Sequence, residues 1–110
     1  MSADDRTAVG EVVVRYATAI DTRDWDLFRT CFTEDCRAEY GATGSWNDLD
    51  SFARFMEEIH ARCGHSLHRI TNVVVQVDGD EAAVVAAALA PHQAALLQVV
   101  HHDGDVAAAA

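Results

Sequence analysis

Residues 68–82, HRITNVVVQVDGDEA, decide the fold class of this chain. β-Branched side chains dominate residues 68–77, which predicts a β-strand, and the Asp-Gly-Asp run that follows is typical of a hairpin turn. Valines lie on both faces of this strand, with Val74 on one face and Val73, Val75 and Val77 on the other. Both faces of such a sheet must be covered. Helices can cover one face, and a second subunit is the natural cover for the other.

The rest of the C-terminal half continues as strands. A second strand is expected from residue 81 to about residue 92, and a third from residue 95 to residue 102, each followed by turn residues. The chain then ends in VAAAA, so we expect the final strand to be short or incomplete.

The N-terminal half has helical periodicity. The first helix is expected from residue 3 to about residue 22, with one apolar face formed by Val9, Val12, Val13, Tyr16 and Ile20. Asp24 can cap a short second helix, and a short strand should end near Tyr40. A third helix should begin near Leu49 and stop at Gly64. Its apolar face would comprise Phe52, Phe55, Met56, Ile59 and Cys63.

This order of elements predicts an α+β fold. About three N-terminal helices would cover one face of a curled, cone-shaped antiparallel sheet, an arrangement also called an α+β barrel. At 110 residues the chain is long enough for one modest core, so we expect a single domain over residues 1–110.

Composition excludes several classes of partner. Eighteen acidic residues face eight basic ones, and the formal net charge is −10. This balance argues against binding to nucleic acid and to anionic membranes.

No apolar run approaches the ~18 residues of a membrane span, and the N-terminus is acidic where a signal peptide would be basic. We therefore expect a cytoplasmic protein, with Cys31, Cys36 and Cys63 as reduced and mostly buried thiols.

Two segments resemble the SnoaL-like branch of the nuclear transport factor 2-like superfamily: residues 16–40, YATAIDTRDWDLFRTCFTEDCRAEY, and residues 68–82. The resemblance covers about residues 5–105, although the family normally continues into a longer final strand. Dehydratases of this branch, such as scytalone dehydratase and bile-acid dehydratase, pair a helix-1 Asp with a strand His, and Asp21 and His68 match that pair. Tyr16 matches a tyrosine five residues before the Asp. Tyr40 and His92 resemble a second tyrosine and a second histidine.

The resemblance implies a cofactor-independent lyase (dehydratase) or isomerase. An Asp21 carboxylate bonded to one nitrogen of His68 would fix the tautomer, so that the other nitrogen can take a proton from carbon. Tyr16 and Tyr40 would donate to the substrate oxygen. The expected substrate is a small apolar ring compound, such as a polyketide, a steroid or an aromatic metabolite, and neither a metal nor an organic cofactor is expected.

Trp25, Phe55, Asn72 and His92 are the remaining candidates for the substrate pocket. Asn72 shares the face of His68 if the strand alternates strictly. A two-residue turn at residues 78–79 would point His92 away from His68, whereas a three-residue turn at residues 78–80 would place both on one face. The histidines at positions 60, 65 and 68 lack a zinc-site spacing, so no metal site is expected.

Other interpretations stay open at this point. Asp21 is also placed to be a solvated residue or a helix cap, and Tyr16 to be a core tyrosine whose hydroxyl finds a partner. The whole chain would then be a non-catalytic module that binds a small ligand or dimerises, for example the small subunit of a ring-hydroxylating oxygenase. The two-faced sheet predicts a homodimer or a higher homo-oligomer in either case.

Overall fold

Three α-helices occupy the N-terminal half of the computed structural model, which describes the backbone of residues 3–78, 81–90, 93–102 and 105–109 and the side chains of residues 6–76. They are α1 (Ala3–Thr22), α2 (Trp25–Arg29) and α3 (Leu49–Ala61). The predicted cap is confirmed, because the Asp24 carboxylate accepts the backbone N–H of Leu27 at 3.0 Å. No helix in this part of the chain is both long and apolar enough to cross a membrane.

The strands form two antiparallel sheets. β1 (Ala38–Glu39) and β2 (Ser45–Trp46) make a small hairpin around a turn of 3₁₀ helix, Gly41–Thr43. The larger sheet is a meander of β3 (Arg69–Asp78), β4 (Glu81–Ala90), β5 (Gln93–His102) and β6 (Asp105–Ala109), with each strand beside the next. Helices combined with an antiparallel sheet confirm the predicted α+β class.

The helix α1 packs on one face of β3. A Cβ placed on Gly10 would lie 3.9 Å from methyl groups of both Val73 and Val75, so the helix approaches the strand closely at this glycine. Val74 points away from α1 and is 51% exposed. Val73 and Val75 therefore contact α1 at Gly10, although Val73 is still 41% exposed. The buried side of α1 is the predicted one, Val9, Val12, Val13, Tyr16 and Ile20.

The register between β3 and β4 differs from both registers considered from the sequence. Asp78 pairs with Glu81 and Val77 with Ala82, and the register then shifts between Thr71 and Val74. Asn72 lies in this bulge with φ 55°, a left-handed conformation that asparagine tolerates better than most residues. The bulge interrupts the strict alternation from which Asn72 was placed in the pocket, and Asn72 is exposed.

The end of α3 also departs from the prediction. The helix ends at Ala61 with Arg62 as its C-cap, short of Gly64. Two residues of the predicted apolar face consequently lie at its exposed end, Ile59 at 39% exposure and Cys63, which is exposed. Phe52 and Met56 are buried as expected, and so are Cys31 and Cys36.

Replacing Gly44 with alanine should destabilise the fold. Gly44 has φ 148° and ψ 179°, a region that is essentially restricted to glycine, and a Cβ there would lie 3.2 Å from Cη2 of Trp46. We expect the free energy of unfolding to fall by about 1–3 kcal/mol in chemical denaturation. Gly64→Ala is the matched control, because no atom lies within 4 Å of a Cβ at that position. Equal stability of the two variants would contradict the argument.

Candidate active site

Asp21 and His68 meet where the last turn of α1 faces the residue before β3. The ring Nδ1 of His68 lies 2.6 Å from Oδ1 of Asp21, and the backbone N–H of His68 donates to Oδ2 at 2.6 Å. The His68 side chain is only 16% exposed and the Asp21 side chain 13%. The carboxylate thus holds the histidine at two points, which restricts both the position of the residue and the rotation of its ring.

The hydrogen bonds of Asp21 determine the protonation of this pair. Burial raises the pKa of the Asp21 carboxyl, but hydrogen bonds from the backbone and ring of His68 and from Ser66 lower it below its ordinary value. The ionised carboxylate can only accept, so Nδ1 of His68 carries the hydrogen that joins them. In neutral His68, Nε2 then carries a lone pair. Within the part of the chain whose side chains are described, Nε2 has no hydrogen-bond partner.

Tyr16 joins the ring of His68 to the hydroxyl of a second tyrosine, Tyr40. The oxygens of Tyr16 and Tyr40 are 2.5 Å apart, and the Tyr16 ring makes an edge contact with the His68 ring at a centroid distance of 6.5 Å. Tyr16 belongs to the buried face of α1, and Tyr40 directly follows β1. Tyr16 and Asp21 lie on the same helix, as the sequence predicted. The ring of His68 contacts both side chains.

Burial governs the acidity of both hydroxyls. It is the largest effect that raises the pKa of Tyr16 well above its ordinary value, and the neighbouring Tyr40 raises it further. Burial also raises the pKa of Tyr40 to about 12, although the hydrogen bond with Tyr16 lowers it. Either hydroxyl can be the donor in the bond that joins the two tyrosines. The hydroxyl that accepts within the pair keeps its own proton for a further acceptor.

The other pocket candidates lie apart from this cluster. The Trp25 ring packs against Phe28 at 5.5 Å and His60 at 5.7 Å, and the Phe55 ring packs against Trp46 at 4.4 Å. Within residues 6–76, no ring contact joins Trp25 or Phe55 to His68, and both are half-buried supports of the core. Asn72 is exposed at the bulge, and His92 lies outside the described residues.

Two residues that the sequence analysis missed also contact the pair. Ser66 donates its hydroxyl to Oδ1 of Asp21 at 2.9 Å, and Arg23 donates to Ser66 Oγ at 2.8 Å. Neither residue has a recognisable motif, and the only available signal was their position within two residues of Asp21 and His68. Among the described side chains, no three from His, Cys, Asp and Glu are grouped as metal ligands.

Comparisons with known proteins agree on the fold. The family of SnoaL-like domains matches residues 1–108, and no curated protein matches the chain. A structure from Nostoc punctiforme, described as a cystatin-like fold of unknown function, has a TM-score of 0.83 and 17% identity and covers 98% of this chain and 88% of its own.

Two further structures have names that refer to an activity. A proposed scytalone dehydratase from Novosphingobium aromaticivorans has a TM-score of 0.74 and 20% identity, and the alignment covers 94% of this chain and 78% of that one. A proposed ketosteroid isomerase from Shewanella frigidimarina has a TM-score of 0.73 and 16% identity, with 92% and 89% covered. At such identities the similarity establishes the fold, and the reaction must be argued from the site.

Proposed function

Because the chain belongs to the family of SnoaL-like domains, we propose that it moves a proton at a carbon atom, as a dehydratase or an isomerase that needs no cofactor. The observation that carries this proposal is the part-buried Asp21–His68 hydrogen bond of 2.6 Å, which orients a histidine whose second ring nitrogen can act as a base. Two protein names among the structural neighbours, a dehydratase and a ketosteroid isomerase, support the reaction class.

His68 is the proposed base. Its Nε2 takes a proton from the carbon next to a carbonyl group, and Asp21 stabilises the imidazolium that results. In a dehydration the same Nε2 then returns its proton to a β-hydroxyl group, the C–O bond breaks, a C=C bond forms and water leaves. In an isomerisation the proton returns to a different carbon atom. Both routes balance without an oxidant or a metal.

Tyr40 is the proposed donor to the carbonyl oxygen. Negative charge develops on that oxygen as the proton leaves carbon, and a hydroxyl group already positioned in a water-poor site stabilises it. In this proposal Tyr16 donates to Tyr40, the direction of the bond that favours the ionised form of the hydroxyl that meets the substrate. Aromatic side chains surround this pair, Phe28 and Phe32 against Tyr16 and Trp46 against Tyr40, which supports a small apolar ring compound as substrate.

The proposal can be tested by following the fate of a carbon-bound proton. A panel of cyclic β-hydroxy ketones and cyclic enones is incubated with the protein in D₂O and monitored by NMR spectroscopy. We expect deuterium to appear next to the carbonyl, with loss of water from the hydroxy ketones. Matched ring compounds without a carbonyl should stay unlabelled. If compounds that bind undergo neither exchange nor elimination, the catalytic proposal is wrong and a binding module is the better description.

The two tyrosines should contribute unequally. Tyr40→Phe removes the hydroxyl proposed to meet the substrate, and loss of one such donor lowers turnover by about 10²–10³-fold. Tyr16→Phe leaves the Tyr40 hydroxyl in place and should cost less, because it removes only the donor behind it. Steady-state kinetics of the two variants on one substrate measures the difference. A larger loss for Tyr16→Phe would mean that Tyr16, and not Tyr40, donates to the substrate.

We also propose that a second copy of the chain covers the outer face of the sheet. The 51% exposure of Val74, an apolar residue within a long strand, supports this arrangement. Val74→Arg should shift the sedimentation profile from dimer to monomer. Val14→Arg changes an equally exposed valine on α1 and should leave the profile unchanged. A monomeric wild-type protein at micromolar concentration would contradict the proposal.

A further inference from the structure

Arg23 joins the end of α1 to the segment that carries His68. The residue follows α1 in a left-handed conformation, with φ 58°, which turns its side chain back toward the site. Its guanidinium donates to the carbonyl of Ile20 at 2.6 Å, to the carbonyl of Gly64 at 2.8 Å and to Ser66 Oγ at 2.8 Å. The rigid, multiply donating fork of arginine suits three such bonds.

Ser66 stands between this cation and Asp21. A guanidinium can only donate, so Ser66 Oγ must accept from Arg23 and direct its single proton elsewhere. The acceptor within reach is Oδ1 of Asp21, at 2.9 Å. Oδ1 is therefore shared between the hydroxyl of Ser66 and Nδ1 of His68.

This sharing matters because an unopposed carboxylate would work against catalysis. An anion in contact with an imidazole favours the imidazolium form, and imidazolium has no lone pair on Nε2 with which to take a proton. A second donor on Oδ1 weakens the attraction of that oxygen for the His68 ring. The guanidinium, one hydroxyl group away, adds a positive charge that disfavours a second cation nearby.

We propose that Arg23 and Ser66 are positioning residues that weaken the stabilisation of the His68 imidazolium by Asp21, so that Nε2 keeps its lone pair for the substrate. The inference rests on the proposed function, in which His68 is the base. It adds a role for two residues outside the Asp–His pair and the tyrosines.

The other described groups around His68 do not supply this effect. Tyr16 faces the ring from α1, and burial keeps its hydroxyl neutral. His60 approaches from α3 and interacts electrostatically with Arg23, His68 and Asp21. Burial lowers the pKa of His60, which makes it a neutral neighbour at physiological pH. Arg69 is also a cation and directly follows His68, but Arg23 is the one that is joined to Asp21, through the hydroxyl of Ser66.

The test is a titration of His68 that needs no substrate. Long-range ¹H–¹⁵N NMR spectra of the whole protein are recorded against pH, and His68→Gln identifies the His68 ring signals by their absence. In both Ser66→Ala and Arg23→Gly, we expect the ring signals of His68 to respond to protonation at a higher pH than in wild type, because one opposing interaction is lost. Glycine suits the left-handed backbone of position 23. Asp21→Asn should move this response in the opposite direction.

Matched variants separate this role from a general structural one. Ser45→Ala and Arg62→Gly change exposed residues of the same types and should leave the titration of His68 unchanged. If circular dichroism shows that Arg23→Gly does not fold, Arg23→Gln is used in its place. Glutamine removes the charge and keeps a hydrogen-bond donor. A His68 response at an unchanged or lower pH in folded Ser66→Ala and Arg23 variants would overturn the proposal. Since no turnover is measured, this failure is distinct from a failure of the proposed catalysis.

Discussion

His68→Gln is expected to lower turnover by about 10²–10⁴-fold, the usual contribution of a positioned general base. Glutamine has a similar reach and can still donate to Asp21 through its amide group, but it offers no basic nitrogen to the substrate. The loss should therefore appear in kcat, with much less change in KM, since the apolar surroundings that bind a ring compound are retained. Single-turnover absorbance measurements on a substrate found by the exchange screen would record it.

Two further variants make this result specific. His65→Gln alters an exposed histidine three residues earlier and should retain the wild-type rate. Asp21→Asn should lose nearly as much as His68→Gln, because an amide no longer stabilises the imidazolium and its NH₂ group favours the wrong tautomer. Wild-type turnover by His68→Gln would exclude His68 as the base.

Phe28→Ala should have the largest effect on stability. Phe28 is fully buried, and its ring contacts those of Tyr16, Trp25, Phe32 and Phe52 at centroid distances of 4.9–5.8 Å. Truncating a buried phenylalanine lowers the free energy of unfolding by about 3–5 kcal/mol. A domain of this size has a total of about 5–15 kcal/mol, so the variant is expected to be close to unfolding.

Urea denaturation followed by circular dichroism gives this value directly. Val14→Ala is the comparison, because Val14 is 53% exposed on α1 and surface changes usually stay within about 0.5 kcal/mol. The Phe28 cavity would also remove a wall from Tyr16, so we expect the variant to lose activity at temperatures where it is still folded. A stability loss of less than about 1 kcal/mol would mean that the aromatic cluster repacks around the gap.

Much of the fold could be predicted because its signals are local. The period of Val9, Val12 and Tyr16 depends only on helix geometry and burial, and α1 has the predicted bounds, Ala3–Thr22. The cap at Asp24 and the strand nature of residues 69–78 are local in the same sense. The end of α3 was harder to place, because Ile59 and Cys63 continue the apolar spacing of the helix although both are exposed.

The register of the sheet could not be read from the chain. A bulge at Asn72 depends on how α1 and β4 together accommodate β3, and a shift of one residue exchanges the faces of every side chain beyond it. For this reason Ile70 on one side of the bulge and Val75 on the other both pack against the core, although strict alternation separates them. Asn72 lies in this bulge and is exposed, and its place in a substrate pocket stays a prediction.

The amino-acid sequence alone determined the α+β class, because periodicity is a property of neighbouring residues. The family resemblance carried by two of its segments supplied the candidate site residues, Asp21, His68, Tyr16 and Tyr40. Only the tertiary structure decided how these groups are bonded. The Tyr16–Tyr40 contact joins residues 24 positions apart, and Arg23 reaches Ser66 across 43 positions. Such contacts depend on the packing of α1 against β1 and the start of β3, and hydrogen bonds, protonation and tautomer follow from distances that no local pattern encodes.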